Sequence, residues 1–158
     1  MTTKRLAALL ALPLLFACNR APEPQVALNT DGATASADTV VVYKSPSCGC
    51  CTKWVDHMKE NGFVVVTHDV NDVSPMKQEL GVPANHTSCH TAKVAGYTLE
   101  GHVPADLVRR MLAEKPSFRG LAVPGMPIGS PGMEGVIKQD YDVLSFDAQG
   151  NMQVYARR

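Results

Sequence analysis

Two short stretches of this sequence carry the side chains best suited to chemistry. Three thiols lie within four residues in Cys48-Gly49-Cys50-Cys51, and a fourth thiol stands beside an imidazole in Cys89-His90. Thiolate sulfur and imidazole nitrogen are ligands for soft and borderline metal ions. The C-x-x-C pair of Cys48 and Cys51 also has the spacing of thiols that shuttle between dithiol and disulfide. The sequence therefore predicts either a metal site or a pair of redox-active thiols.

The segments around the clustered thiols predict a strand before them and a helix after them. Residues 40–44 are a β-branched run typical of a buried strand, and residues 53–61 read as a helix. Cys51, Val55 and Met58 recur at i, i+4 and i+7, which is the spacing of one helix face. Because the positive end of a helix favours anions, thiolates form there more easily than in free cysteine.

The rest of the chain alternates between strand and helix patterns. In order, we predict a strand at 63–67 that is covered on both faces, a short helix with Ser74 as its N-cap, a hairpin of residues 91–95 and 98–103, a helix at 105–115, a Gly/Pro/Met loop at 122–135 and a hairpin of residues 142–146 and 152–156. This order predicts an α/β domain, residues 39–158, with a central mixed sheet and flanking helices. It resembles the thioredoxin fold.

That resemblance implies where the second stretch lies. In thioredoxin-like proteins the loop before the third strand carries a cis-proline that packs against the C-x-x-C pair. Here His90 stands where that proline would align, and Cys89 precedes it. The resemblance therefore brings Cys89 and His90 against the mouth formed by Cys48 and Cys51.

The metal is predicted from ligand type and ligand number. Zn²⁺ prefers a tetrahedron of four ligands, but adjacent cysteines such as Cys50 and Cys51 rarely chelate one tetrahedral ion without strain. Cu(I) accepts two or three soft ligands and tolerates bridging thiolates. The thioethers of Met126 and Met133 could cap such ions. We therefore predict a small Cu(I) cluster of more than one ion, with zinc as the alternative.

Four motifs together resemble the periplasmic copper-resistance proteins called CopG. These are Cys48-Gly49-Cys50-Cys51, Cys89-His90, Gly101-His102-Val103-Pro104 and the Met-Pro-Ile-Gly-Ser-Pro-Gly-Met-Glu run of residues 126–134. The resemblance spans about residues 40–146. It implies a thioredoxin-like fold that binds several copper ions through the C-x-C-C and Cys-His groups, with a role in copper resistance or copper redox handling.

The N-terminus predicts export and lipidation. Lys4 and Arg5 precede an apolar run, residues 6–17, that is too short to span a membrane. Leu15-Phe16-Ala17-Cys18 resembles a bacterial lipobox, which implies a signal peptide at 1–17, a lipidated Cys18 and a flexible tether at 18–38. Asn19 resembles the signal for outer-membrane retention. The alternative is an ordinary secretory signal followed by an unrelated cysteine.

Charge and spacing leave several functions open and disfavour one. The 15 basic residues balance the 15 acidic ones, so a nucleic-acid partner has little support. The rival functions are a thiol–disulfide oxidoreductase with Cys48 as nucleophile and Cys51 as resolving thiol, a copper chaperone serving periplasmic copper or redox proteins, and a domain with two structural disulfides. Among the other histidines, His86 is a weaker candidate ligand, whereas we expect His57 at a solvated surface and His68 and His102 in structural roles.

Overall fold

The computed structural model describes residues 39–158. The predicted signal peptide, the lipidation of Cys18 and the tether lie outside the described residues. Within the described part, no helix is long and apolar enough to cross a membrane.

One mixed sheet of seven strands organises the described residues. The strands follow the spatial order β2-β1-β3-β4-β5-β6-β7. Strands β1 and β2 are parallel, as are β4 and β5, and the other neighbouring pairs are antiparallel. The strands are β1 Thr39–Lys44, β2 Val64–Asp69, β3 Thr91–Val94, β4 Tyr97–Glu100, β5 Gly120–Ala122, β6 Asp142–Phe146 and β7 Met152–Arg157. The predicted α/β class with a mixed sheet is confirmed, as is the C-terminal hairpin.

Three helices accompany the sheet in the described residues: α1 Gly49–Glu60, α2 Ser74–Glu79 and α3 Ala105–Glu114. Helix α1 begins earlier than the predicted residue 53, so Cys50 and Cys51 lie in its first turn and Cys48 is its N-cap. Its buried face, Cys51, Trp54, Val55 and Met58, follows the expected helical spacing. The N-cap of α2 is Val73 rather than Ser74.

Strand β2 differs from its prediction. We expected an apolar strand covered on both faces, but β2 lies at the edge of the sheet, where Val64 is 58% and Val66 is 43% exposed. β-Branched side chains fit the pleat of an edge strand as well as that of a central strand. The residue pattern therefore identifies the strand and does not determine its position in the sheet.

Strand β5 was not predicted, because three residues carry too short a pattern. It lies between β4 and β6 and is buried throughout. A Cβ at Gly120 would lie 2.1 Å from the Thr98 carbonyl oxygen and 2.8 Å from the Phe146 ring. Only glycine fits this close approach of two strands.

The buried core ties α1 to the segment after β4. The indole Nε1 of Trp54 donates a hydrogen bond to the Val103 carbonyl at 2.9 Å, and Trp54 itself is fully buried. This bond fixes the thiol-bearing helix against residues 101–104. Trp54 is thus a packing residue near the mouth of this helix.

Candidate metal centre

The first turn of α1 presents three sulfur atoms. Cys48 and Cys51 are joined in a disulfide, while Cys50 is a free thiol. The Cys50 Sγ lies 3.5 Å from the Cys48 Sγ, and Cys51 is fully buried. The first turn of this helix contains no acidic residue. The helix dipole therefore acts on these sulfurs without a nearby acidic side chain from that turn to oppose it.

The sheet brings Cys89 to these thiols. Strand β1 runs into the C-x-C-C turn, and β3 is antiparallel to it with Thr91 opposite Tyr43. The residues just before β3 therefore lie beside the residues just after β1. The Cys89 Sγ is 3.9 Å from the Cys50 Sγ, and ligand atoms from all four cysteines lie within 4.8 Å of one another. The structure thus brings the two thiol stretches together.

His102 joins this cluster, although sequence reasoning assigned it a structural role. Its Nε2 lies 3.0 Å from the Cys89 Sγ, and its Nδ1 lies 2.7 Å from the Pro131 carbonyl. A carbonyl only accepts, so Nδ1 carries the proton and Nε2 presents its lone pair toward the sulfur. The signal that could have found His102 is the predicted hairpin itself, because its register places Gly101 beside His90, and the Gly101 N–H does donate to the His90 carbonyl at 3.0 Å.

His90 is fully buried beside the same thiol. Its Nδ1 lies 3.4 Å from the Cys89 Sγ, and its Nε2 has no hydrogen-bond partner in the described part of the protein. Its ring packs on Trp54, with centroids 4.5 Å apart, and edge-on to His102 at 5.1 Å. His90 therefore lies in the cluster with Cys89 and His102, on the side of the thiols that the resemblance to thioredoxin-like proteins implied.

Burial sets the protonation of these groups. It lowers the pKa of His90 well below its ordinary value, and neighbouring His102, Lys77 and Lys44 lower it further. Burial also lowers the pKa of His102. Burial and the nearby Cys50 raise the pKa of Cys89 to about 11. The imidazoles are thus neutral, the form that binds metal, whereas Cys89 stays protonated until a cation replaces its proton.

The methionine loop lies against the same turn of α1. The Met126 Sδ is 3.9 Å from the Cys50 Sγ, and Met126 is half exposed. Met133 lines a cavity of about 440 Å³ that opens beside Cys50. Gly132 has φ +84°, and a Cβ there would lie 2.6 Å from the Cys50 carbonyl oxygen. Met126 therefore contacts the sulfur cluster directly, and Met133 lines the cavity beside it.

The remaining histidines lie apart from the cluster. His57 is half-buried, and its Nε2 accepts a hydrogen bond from the Ala105 N–H at 3.1 Å. The prediction of a solvated surface residue was therefore wrong for His57. His68 is exposed and stacks on Tyr43, and the His86 Nδ1 lies 2.8 Å from the Asn85 Oδ1.

The described residues thus contain two overlapping donor groups that share one sulfur. One group is Cys48, Cys50, Cys51 and Cys89, and the other is Cys89, His90 and His102. Reduction of the Cys48–Cys51 disulfide would release two further thiolates into the first group. The fold and the donors define the class of protein. It is a mixed α/β domain whose sheet places a Cys-His loop beside the C-x-C-C turn of a helix, and the donors at this site are of the kind that bind soft metal ions.

Comparison with known proteins identifies the family. Two solved structures, named copper resistance protein CopG form 2 and form 1, each match at 41% sequence identity with a TM-score of 0.72. The matches cover 76% of this chain and 97% and 96% of those chains. This chain belongs to the CopG family of copper resistance proteins. A family model described as a protein of unknown function, DUF411, matches residues 86–133, which include Cys89, His90 and His102. No match is found among curated proteins.

Proposed function

We propose that this protein binds Cu(I) in the bacterial cell envelope, as a multinuclear thiolate cluster, and serves copper resistance. The observation that carries the proposal is the convergence of four cysteine sulfurs within 4.8 Å, one of which also faces two imidazoles. The copper resistance names of the 41% identical relatives support copper as the cargo.

The donor set favours several Cu(I) ions over one Zn²⁺. Zinc sites close with four ligands on one ion, whereas this cluster offers four sulfurs, two imidazoles and a nearby thioether. Cys89 belongs to both donor groups, so its thiolate is placed to bridge two ions. Met126 adds a soft donor of the kind that Cu(I) prefers. On this proposal Cys48, Cys50, Cys51, Cys89 and His90 hold copper, joined by His102 and Met126.

Binding is coupled to proton release. Thiolates, not thiols, are the ligands, and the pKa of Cys89 is raised to about 11 by burial and by Cys50. Copper therefore displaces a proton from Cys89 at neutral pH. The neutral His102 needs no such exchange, because its Nδ1–H is bound by the Pro131 carbonyl and its Nε2 already presents a lone pair toward the Cys89 sulfur.

The same proposal covers the domain organisation and the location. The fold is thioredoxin-like, with the C-x-x-C pair at its first strand–helix junction. A signal peptide at 1–17, a lipidated Cys18 and a tether at 18–38 would hold the metal-binding domain, residues 39–158, on the periplasmic face of the outer membrane. The basic start, the short apolar run and the lipobox-like tetrad support this part of the proposal.

The Cys48–Cys51 disulfide favours a second function, redox chemistry. Oxidation of this dithiol to the disulfide releases two electrons and two protons, which is enough to reduce two Cu(II) to two Cu(I). The same pair would serve a thiol–disulfide oxidoreductase, with Cys48 as the nucleophile and Cys51 as the resolving thiol. Copper redox cycling and thiol exchange therefore use one pair of residues in two ways.

The decisive experiment is an anaerobic titration of the reduced, purified protein with Cu(I) and, separately, with Zn²⁺. More than one tightly bound copper per chain that displaces zinc supports the cluster. One zinc, or no metal and a readily formed disulfide, overturns it. Cys50→Ser should lower the copper count, whereas Ser47→Ala, a control at the residue before the N-cap of α1, should leave it unchanged.

Turnover assays separate the redox alternatives. A thiol–disulfide oxidoreductase would reduce insulin, keep that activity in Cys50→Ser and Cys89→Ser, and lose it in Cys48→Ser. A copper chaperone would pass Cu(I) to an acceptor protein faster than Cu(I) dissociates freely.

A further inference from the structure

A buried carboxylate lies directly behind the Cys89 loop. The side chain of Glu100, at the end of β4, is fully buried, and its Oε1 accepts hydrogen bonds from the Lys77 ammonium at 2.6 Å and from the Ser88 N–H at 2.5 Å. The other oxygen, Oε2, is buried without a hydrogen-bond partner among the described residues. Ser88, whose N–H is bound in this way, immediately precedes Cys89.

A buried ion pair such as Glu100 and Lys77 contributes little net stability by itself. Removing two charges from water costs several kcal/mol per ion, and well-packed apolar residues of similar volume often stabilise a fold equally well. An unpartnered buried oxygen adds to that cost. What an apolar pair would not supply is an acceptor for the Ser88 N–H.

The same residue also reaches the methionine loop. The Glu100 main-chain carbonyl accepts the Val123 N–H at 2.9 Å, and the Ser88 hydroxyl donates to the carbonyl of Gly125, the residue before Met126. The Gly125 N–H in turn donates to the Thr87 carbonyl at 3.2 Å. The residue before Cys89 and the residue before Met126 are therefore bonded to each other.

Gly101 allows this close packing. It has φ +70°, and a Cβ there would lie 2.5 Å from the Ser88 side chain and 2.6 Å from the Val123 carbonyl oxygen. Any larger residue at this position would push the two loops away from Glu100.

We infer that Glu100, held by Lys77, is a positioning residue that sets the places of the Cys89 and Met126 sulfurs relative to Cys50. It acts through Ser88, whose N–H its Oε1 accepts. This inference rests on the proposed function, because the positioned sulfurs are ligands of the proposed copper site. Its geometry can be tested without metal.

Two double variants isolate the acceptor. Lys77→Met with Glu100→Gln removes both charges and keeps an amide oxygen for the Ser88 N–H, whereas Lys77→Met with Glu100→Met removes both charges and the acceptor. We expect the first to bind Cu(I) like the parent, and the second to bind about tenfold more weakly, as is typical when groups that orient metal ligands are lost. Affinity is measured by competition with a Cu(I) chelator, together with the thiolate-to-copper absorption.

A metal-free readout keeps the two proposals separable. In the reduced protein without metal, we expect Cys89 to be alkylated about tenfold faster in the variant with Lys77→Met and Glu100→Met than in the variant with Lys77→Met and Glu100→Gln. The reason is that the loop carrying Cys89 opens more often when the acceptor for the Ser88 N–H is lost. Met111→Ala, a core deletion in α3, controls for loss of stability. A parent protein that binds no copper would refute the proposed function, and the alkylation rates would still decide the role of Glu100.

The inference is overturned if the two double variants have the same Cu(I) affinity and the same rate of Cys89 alkylation. It is also overturned if their changes in affinity and alkylation are the same as those of Met111→Ala at an equal loss of stability. Should the variant with Lys77→Met and Glu100→Met not fold, Ser88→Ala gives a second test. It removes the hydroxyl that bonds to the Gly125 carbonyl and lies 4.0 Å from the Cys89 Sγ, and it leaves the Ser88 N–H on Glu100. Ser88→Ala and Met126→Leu should then be non-additive in Cu(I) affinity, whereas strictly additive losses would contradict the link between the loops.

Discussion

The first turn of α1 and the loops facing it supply sulfur and nitrogen donors to one cluster, but they are built differently. Cys48, Cys50 and Cys51 are neighbours in sequence, and one helix turn fixes their spacing. Cys89 and His102 come from separate segments that only the sheet brings together. A helix turn sets local distances by itself, whereas the loop donors depend on strand register.

The chemical environments of the two parts of the cluster also differ. The helix half is Cys48, Cys50 and Cys51, and the loop half is Cys89, His90 and His102. The helix half has a disulfide and the positive end of a helix dipole, which favours thiolate chemistry without metal. In the loop half, burial raises the pKa of Cys89 to about 11 and keeps His90 and His102 neutral. On the proposed function, the helix half is suited to redox exchange and the loop half to holding metal.

The largest effect is expected from Cys89→Ser, because Cys89 alone belongs to both donor groups. Losing a direct ligand should exceed the loss typical of outer-shell changes, so we expect Cu(I) affinity to fall by about a hundredfold or more. The measurement is chelator competition with a count of bound copper. A smaller loss in Cys89→Ser than in Cys50→Ser would show that the helix half, not the loop half, dominates retention.

A smaller effect should distinguish the two imidazoles. His102→Asn is expected to weaken Cu(I) binding by about tenfold, and His90→Asn by less, because the His102 Nε2 is closer to Cys89 and its ring is oriented by Pro131. The same competition assay measures both variants. The reverse order would mean that the buried ring of His90 is the principal nitrogen donor.

The smallest effect concerns His57, which links α1 to the start of α3 without joining the cluster. Burial lowers its pKa below 6.5, against the opposing carboxylates of Glu134, Glu60 and Asp106. Neutral His57 accepts the Ala105 N–H, so its contribution to stability is present above pH 6.5 and is lost as the pH falls through the lowered pKa.

We therefore expect His57→Ala to lower the free energy of unfolding by about 1 kcal/mol at neutral pH, the usual size of a lost hydrogen bond. It should also flatten the fall in stability of the metal-free protein on acidification, measured by thermal unfolding at a series of pH values. His68→Ala, at an exposed histidine, is the matched control. An unchanged pH slope in His57→Ala would assign the acid sensitivity to other groups.

Several elements could be predicted because their signals are local. The strand before the thiols, the hairpin around Gly96 and the C-terminal hairpin follow from β-branched runs separated by turn residues. The buried face of α1 follows from the spacing of Cys51, Val55 and Met58. Each of these patterns is contained in a few consecutive residues.

The features that the sequence predicted wrongly or not at all share a different cause. The edge position of β2, the short strand β5 and the exposure of His57 depend on which segments become neighbours in space. The role of His102 depends on hairpin register, which places residues after β4 beside residues before β3. No local pattern around these residues records those neighbours.

The sequence by itself determined the donor types, the close spacing of three thiols just before a predicted helix, and the family membership suggested by four separate motifs. Only the tertiary structure decided that His102 faces Cys89 and that Met126 contacts Cys50. The physical reason is that covalent spacing and helix geometry act over a few residues. Contacts between distant segments are set by sheet register and by buried groups such as Glu100 that hold the loops in place.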